Sequence, residues 1–288
     1  MNAVELEGIS KVFRPGLCGA PVCALQGIDL CIPEGETVGL LGANGSGKST
    51  LLKIVLGLIS PTAGICRVLG CACDSAGAHS ALGYLPEVPE FYPFLTGTEL
   101  VRFFAGLAGL TGAIKENRVR DAIALVGMEA VSGRRVGTYS RGMKQRIGLA
   151  QALVAEPRLV ILDEPTANLD PEGVADVCEV VRRIRSGGGT ILLSSHQLEQ
   201  IEGLCTRVVL LRRGRLVASG TMDELVQPFA EEALVVEALS EADRPELQAW
   251  LAGRGARLLA SPAPRRSGLE RAYLAAVRRS RMDEEPVR

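Results

Sequence analysis

Gly42-Ala43-Asn44-Gly45-Ser46-Gly47-Lys48-Ser49-Thr50 follows a mostly apolar run over residues 36–41 and leads into Leu51, Leu52, Val55 and Leu56 at helical spacing. The pattern is G-x-x-x-x-G-K-[ST], set between a strand and a helix. The glycines let successive backbone N–H groups curl around one anion, and the helix N-terminus adds its partial positive charge. A phosphate fits that cradle. Lys48 has the length to reach further phosphates of the same chain, and the Ser49 hydroxyl is a ligand for a hard cation such as Mg²⁺. The alternative, an ordinary Gly-rich turn, is disfavoured by the strand and helix on either side. The loop by itself fits several unrelated classes of nucleotide-handling protein.

Farther along, Arg158-Leu159-Val160-Ile161-Leu162-Asp163-Glu164-Pro165 places two carboxylates at the end of an apolar run that reads as a buried parallel strand. Ionised carboxylates beside a core are costly unless paired, and a divalent cation is the natural partner. Asp163 then reads as a metal ligand, direct or through water. Glu164 reads as the group that polarises an attacking water. The bland alternative is a strand that ends at the surface.

The rest of the chain alternates strand-like and helical runs. Residues 4–6 and 24–30 read as strands, 99–110, 118–126 and 174–185 as helices, and 190–194 and 207–211 as buried strands. That alternation predicts an α/β domain with a largely parallel sheet. After Ser219-Gly220 the texture changes: a strand over 233–238, a helix over 241–253 and a helix over 269–279 are expected, with a boundary near Gln227-Pro228.

The chain has 288 residues, of which 47% are hydrophobic, so a large domain with a small appendage is affordable in length and core. A net charge of −1 gives no basic field of the kind that marks a nucleic-acid binder, so nucleic acid is not an expected partner. No apolar run approaches the ~18 residues that cross a bilayer, and the N-terminal MNAVELEGIS lacks a signal pattern. A cytosolic chain, or one peripheral on the cytosolic face of the inner (plasma) membrane, is expected. The eight cysteines then read as reduced thiols. Cys71 and Cys73 with His79 admit two readings, a metal site or a turn holding small apolar residues. The lack of a second ligand pair at zinc-like spacing favours the turn. The same holds for Cys18 and Cys23.

Between the two motifs lies Thr138-Tyr139-Ser140-Arg141-Gly142-Met143-Lys144-Gln145-Arg146. It resembles the LSGGQ signature of ABC (ATP-binding cassette) ATPases. Ser140 and Gly142 match; Tyr139, Arg141 and Met143 depart. A Ser-x-Gly at a helix start suits an anion, although alone it would be a plain N-cap. Asn168-Leu169-Asp170 is similar to the family's D-loop, and Ser194-Ser195-His196 to its switch histidine. The resemblance spans residues 4–225, with the motifs in the family's order.

The resemblance implies a P-loop ABC ATPase fold of the α/β class. A RecA-like core would carry an N-terminal antiparallel β part and a helical subdomain over about 88–155. Residues 1–227 would form the nucleotide-binding domain and 228–288 a small α+β extension. ATP and Mg²⁺ are the implied cofactors. Residues 42–50 would bind the phosphates; Lys48, Glu164 and His196 would be catalytic; Ser49 and Asp163 would hold the metal. Ser140 and Gly142 would grip the γ-phosphate of ATP on the opposite subunit of a head-to-tail dimer, with a homodimer expected. Phe13 lies where the family stacks an aromatic on adenine, and equally where a core residue could sit. Glu87, in Gly83-Tyr84-Leu85-Pro86-Glu87, replaces the family's usual Gln. Its carboxylate can still bind Mg²⁺ or a metal-bound water.

The implied partner is an integral-membrane permease on a separate chain. Phe91, Tyr92 and Phe94 lie where such proteins meet it, or else pack internally. Glu87, the YSRGM signature and the C-terminal extension resemble subunits of ABC-2 type exporters, and several segments also resemble the ATPase group serving nitrous-oxide reductase copper-site maturation. Two other classes compete. Soluble ABC ATPases acting on ribosomes carry two cassettes, and those acting on DNA carry a long heptad insert; this chain has neither. A regulatory module that holds ATP without hydrolysing it would not need Glu164 and His196.

Overall fold

All four residues of strand Leu159–Leu162 are buried, and their side chains divide between two cores: Val160 and Leu162 on one side, Leu159 and Ile161 on the other. A fully apolar strand of this kind needs both faces of its sheet covered. The computed structural model shows how; it describes residues 1–14, 20–227, 244–252 and 268–282.

In chain order the strands are β1 Asn2–Phe13, β2 Val22–Pro33, β3 Thr37–Leu41, β4 Ala63–Val68, β5 Cys71–Ala72, β6 Leu82–Leu85, β7 Leu159–Leu162, β8 Thr190–Ser195, β9 Arg207–Arg212 and β10 Arg215–Thr221. The helices are α1 Lys48–Val55, α2 Ala76–Ser80, α3 Gly97–Leu107, α4 Gly112–Leu125, α5 Arg141–Leu153, α6 Pro171–Ser186, α7 Leu198–Leu204, α8 Met222–Val226, α9 Arg244–Ala252 and α10 Gly268–Met282. A six-stranded sheet runs β10-β9-β3-β8-β7-β6, parallel except for the edge hairpin β9-β10. A four-stranded antiparallel sheet runs β2-β1-β4-β5.

Period-2 alternation assigns each residue of the main sheet to a side. Val38 and Leu40 of β3, Leu192 of β8 and Val209 and Leu211 of β9 face the core shared with α1 and the antiparallel sheet. Leu41, Ile191, Leu193, Val208 and Leu210 face the core shared with α3 to α7 and α10. Gly39 completes the second face by having no side chain. A Cβ there would sit 2.7 Å from Ile201 Cδ1, so α7 packs directly on the β3 backbone.

The helices and strands named from sequence within residues 1–227 fall on helices and strands of the structure, several of them cut short, while β4, β5, α2, α7, β10 and α8 were not read. The helix expected from residue 174 begins at Pro171, because Asp170 caps it by accepting from the Gly173 N–H at 3.1 Å. The helix expected from 118 begins at Gly112, and that expected from 99 begins at Gly97 behind a Thr96–Glu99 capping box. The strand expected over 24–30 begins at Val22.

The Gln227–Pro228 boundary expected by sequence falls one residue past α8, and the strand expected over 233–238 lies outside the described residues. The last helix is not an isolated appendage. Leu269 of α10 is fully buried in the larger core, its N–H donates to Glu202 Oε1 at 2.9 Å, and Arg212 Nη1 donates to the Val277 carbonyl at 3.2 Å.

Candidate functional site

Strands β3 and β8 lie side by side and parallel, with Leu40 opposite Ser194 and Leu41 opposite Ser195. Their C-terminal ends therefore release two loops at one edge of the sheet: residues 42–47 before α1, and His196-Gln197 before α7. In parallel α/β sheets ligands bind at that edge. Here it opens into a cleft of 1200 Å³.

The loop after β3 is built as its sequence demands. Gly47 sits at φ +110°, where a Cβ would come 2.9 Å from the Ala24 carbonyl. At Gly42 a Cβ would meet Ser46 Oγ at 2.4 Å and the Leu211 carbonyl at 2.5 Å. Only glycine lets the chain turn here so tightly between β3 and the start of α1. Lys48, just inside α1, is 6% exposed. Its ammonium donates to the Gly42 carbonyl at 2.7 Å and lies 3.3 Å from Glu164 Oε1. Ser49, by contrast, is exposed to the cleft.

The carboxylates after β7 are buried, Asp163 at 7% and Glu164 at 9% exposed. A single hydroxyl organises both: Ser194 Oγ donates to Asp163 Oδ1 at 2.7 Å and accepts from the Glu164 N–H at 2.8 Å. Glu164 stands at φ +48°, a left-handed backbone that costs a non-glycine residue about 1–3 kcal/mol and is typical of functional sites. That backbone turns its carboxylate back toward Lys48 and His196. His196 Nδ1 lies 2.8 Å from Glu164 Oε2. Because a carboxylate oxygen accepts, Nδ1 carries the hydrogen, and Nε2 is left to face a ligand.

Most of the residues expected from sequence converge here. Lys48, Ser49, Glu164 and His196 line the cleft, with Glu87 and Phe13 at its margins, and Asp163 lies beneath it. Phe13 is 42% exposed, with Lys11 Nζ 5.2 Å from its ring centroid, so it is a surface aromatic and not a core residue. Ser140 and Gly142 are absent from the cleft lining. Ser140 caps α5 by accepting from the Met143 N–H at 3.3 Å, on the helical side of the molecule.

The chemistry fits a polyphosphate with a hard cation: a glycine cradle, one buried ammonium, a hydroxyl, and carboxylate oxygens within one cleft. Sequence reasoning did not single out the Ser194 hydroxyl as the organiser of both acids, nor Thr166 and Gln200, which hydrogen-bond to each other on the cleft wall. A hydroxyl directly after the apolar Ile191-Leu192-Leu193 was the available signal for Ser194.

Residues 25–167 match the family model described as ABC transporter. The chain is 36% identical over 248 residues to YxlF of Bacillus subtilis, an uncharacterized ABC transporter ATP-binding protein; the match covers 86% of this chain and 79% of that protein.

The chain belongs to the ABC transporter family, as an ATP-binding subunit.

An uncharacterized ABC transporter ATP-binding protein of Nostoc sp., all4389, is 39% identical over 228 residues, covering 78% of this ABC subunit and 68% of the relative. A solved structure described as the ATP binding subunit of an ABC transporter superimposes with a TM-score of 0.69 at 31% identity, covering 79% of this chain and 93% of its own. The fold is that of the ABC ATPase, and ATP hydrolysis is the activity of this subunit.

Cys71, Cys73 and His79 are described in this ABC subunit, whereas Cys18 lies outside the described residues. His79 Nε2 is committed to the Leu56 carbonyl at 3.1 Å, and among the described residues no group of three or more ligands could hold a metal. Burial pushes the Cys205 thiol up to about 12 and raises Cys66 and Cys178 as well. Burial thus suppresses their thiolate forms, and the thiolate is the nucleophile. Iodoacetamide at pH 8 is therefore expected to alkylate the exposed Cys23, Cys31 and Cys71, and to reach Cys66, Cys178 and Cys205 only after denaturation. Peptide mass mapping checks this; prompt modification of native Cys205 would contradict the packing of α7 on β3.

Proposed function

We propose that this subunit works as a head-to-tail dimer that couples ATP binding and hydrolysis to export through a separate membrane permease. The separation within one chain supports the dimer: Ser140 and Gly142 stand off the cleft that Lys48 and Glu164 line, so a second copy would have to bring them to the γ-phosphate. In this reading residues 1–227 form the nucleotide-binding domain and 228–288 its extension. The cytosolic membrane face is its location; among the described residues no helix is long and apolar enough to cross a bilayer.

Each residue then has a task. The N–H groups of 42–50 and the N-terminus of α1 bind the β-phosphate, and Phe13 stacks on the adenine. Lys48 exchanges part of its contact with Glu164 for the β- and γ-phosphates. Ser49 and Asp163, with Glu87, would hold Mg²⁺, which would neutralise charge on the phosphate oxygens. Glu164 accepts the proton of the attacking water. His196, held by Glu164 through Nδ1, presents Nε2 to the γ-phosphate.

Exposed aromatics support the permease contact. Tyr92 is 52% and Phe94 65% exposed, with ring centroids 5.7 Å apart, and Tyr92 meets Phe103 edge-on at 6.1 Å. Phe91 instead packs against the core. An aromatic patch of this kind on the surface marks a binding face.

The direction of transport rests on Glu87 and the YSRGM segment, which resemble ABC-2 exporters. Among the relatives, one is named a linearmycin resistance ATP-binding protein and another a methionine import ATP-binding protein. A tagged pull-down from detergent-solubilised host membranes tests the assignment. Recovery of a multi-span protein of exporter type is expected; recovery of soluble partners alone would overturn it.

A further inference from the structure

Besides the nucleotide cleft, the β3–β8 edge bounds a second, smaller cavity of 300 Å³. Its walls are Leu41 and the loop residues Gly42, Ala43 and Asn44 on one side, His196 and Leu198 on another, and Tyr273 of α10 on the third. The nucleotide cleft thus faces one side of His196, and the C-terminal helix faces another.

Helix α10 is fixed in that place. Leu269, Tyr273 and Ala276 share one face at positions i, i+4 and i+7 and pack on the larger core, and Ala272 on the same face is buried. The Leu269 N–H bond to Glu202 ties α10 to α7, the helix that His196 leads into. The Arg212–Val277 bond ties its other end to β9. The His196 side chain is itself 46% exposed, and among the described residues its hydrogen-bond partner is Glu164. With one hydrogen bond holding it, the imidazole can leave Glu164 for another staggered χ1 rotamer wherever the adjoining space admits it.

We infer that Tyr273 is a positioning residue for ATP hydrolysis: its ring backs His196 across the small cavity and keeps the imidazole on Glu164. The inference rests on the assignment of His196 and Glu164 above. It gives the C-terminal helix a role at the phosphate end of the cleft, and it acts on turnover and not on nucleotide affinity. Tyr273 touches neither nucleotide nor reacting atoms; the aromatic body of the side chain does the work, since it bounds the cavity as a wall.

The test is phosphate release by the full chain, read as kcat and KM, in Tyr273→Ala, Tyr273→Phe, His196→Ala and the double variant Tyr273→Ala/His196→Ala. Tyr273→Ala is expected to lower kcat about tenfold with KM within about twofold, a fraction of what a well-placed catalytic group contributes. Tyr273→Phe, which keeps the ring, restores the wild-type rate. Because Tyr273 acts through His196, the double variant turns over no more slowly than His196→Ala alone. A helix that merely stabilises the fold would lower kcat by the same factor in both backgrounds, and that additive result would overturn the proposal, as would an unchanged kcat in Tyr273→Ala. Lys48→Ala is run alongside: if it hydrolyses ATP as fast as the wild type, the site assignment itself fails, and this inference with it.

Discussion

Glu164→Gln is expected to bind Mg·ATP at least as tightly as the wild type and to release phosphate about 10²–10³-fold more slowly, the scale on which a positioned proton acceptor contributes. The substitution keeps the shape of the side chain. The backbone contacts that set the residue, the Glu164 N–H to Ser194 Oγ and the Ala167 N–H to the Glu164 carbonyl, do not involve the carboxylate. An amide can still accept from His196 Nδ1, yet it cannot take a proton from water. Lys48, now facing a neutral group, gives up less when it turns to the phosphates, so affinity does not fall. Light scattering supplies a second readout: the slow variant accumulates as a dimer in Mg·ATP and returns to monomer in ADP. Wild-type turnover by Glu164→Gln would remove Glu164 from the chemistry.

Lys48→Ala is expected to weaken ATP binding about 100-fold. Truncating one partner of a buried, hydrogen-bonded charge pair costs about 2–5 kcal/mol, much of it from the charge left behind. Lys48 is such a partner twice over, first with Glu164 and the Gly42 carbonyl, then with the phosphates. Titration with a fluorescent ATP analogue measures the loss, and a thermal melt shows whether the unpaired Glu164 also destabilises the empty protein. Unchanged affinity would mean that the glycine loop holds the phosphates without its lysine.

Much of the site was legible because its chemistry is local in sequence. A cradle for phosphate must be made of consecutive residues, so residues 42–50 declare it whole, glycines included. The paired acids announce themselves because Asp163 and Glu164 end an apolar strand where charge is costly. Other features were legible only as alternatives. Phe13 read equally as core or as a stacking residue until its exposure placed it at the cleft margin, and Phe91 and Tyr92, adjacent in sequence, proved to face opposite environments.

By itself, then, the sequence determined the class of ligand and the chemistry available, since the loop, the acids and the capping residues act through neighbours a few positions away. Tertiary structure alone decided which distant groups meet. The pairing of β3 with β8 brings His196 and Ser194 to Lys48 across about 150 positions of chain. The neighbouring pairing of β7 with β8 turns a lone strand-end histidine into the partner of Glu164, and the Ser194 hydroxyl into the support of both acids. The ties of α10 to α7 and β9 likewise put Tyr273, from a helix that reads in sequence as part of an appendage, on the wall of a cavity that it shares with the phosphate loop and His196. No periodicity encodes such contacts, because they depend on the order of strands in the sheet and on the side of the sheet each helix covers, and those are fixed by burying two cores at once.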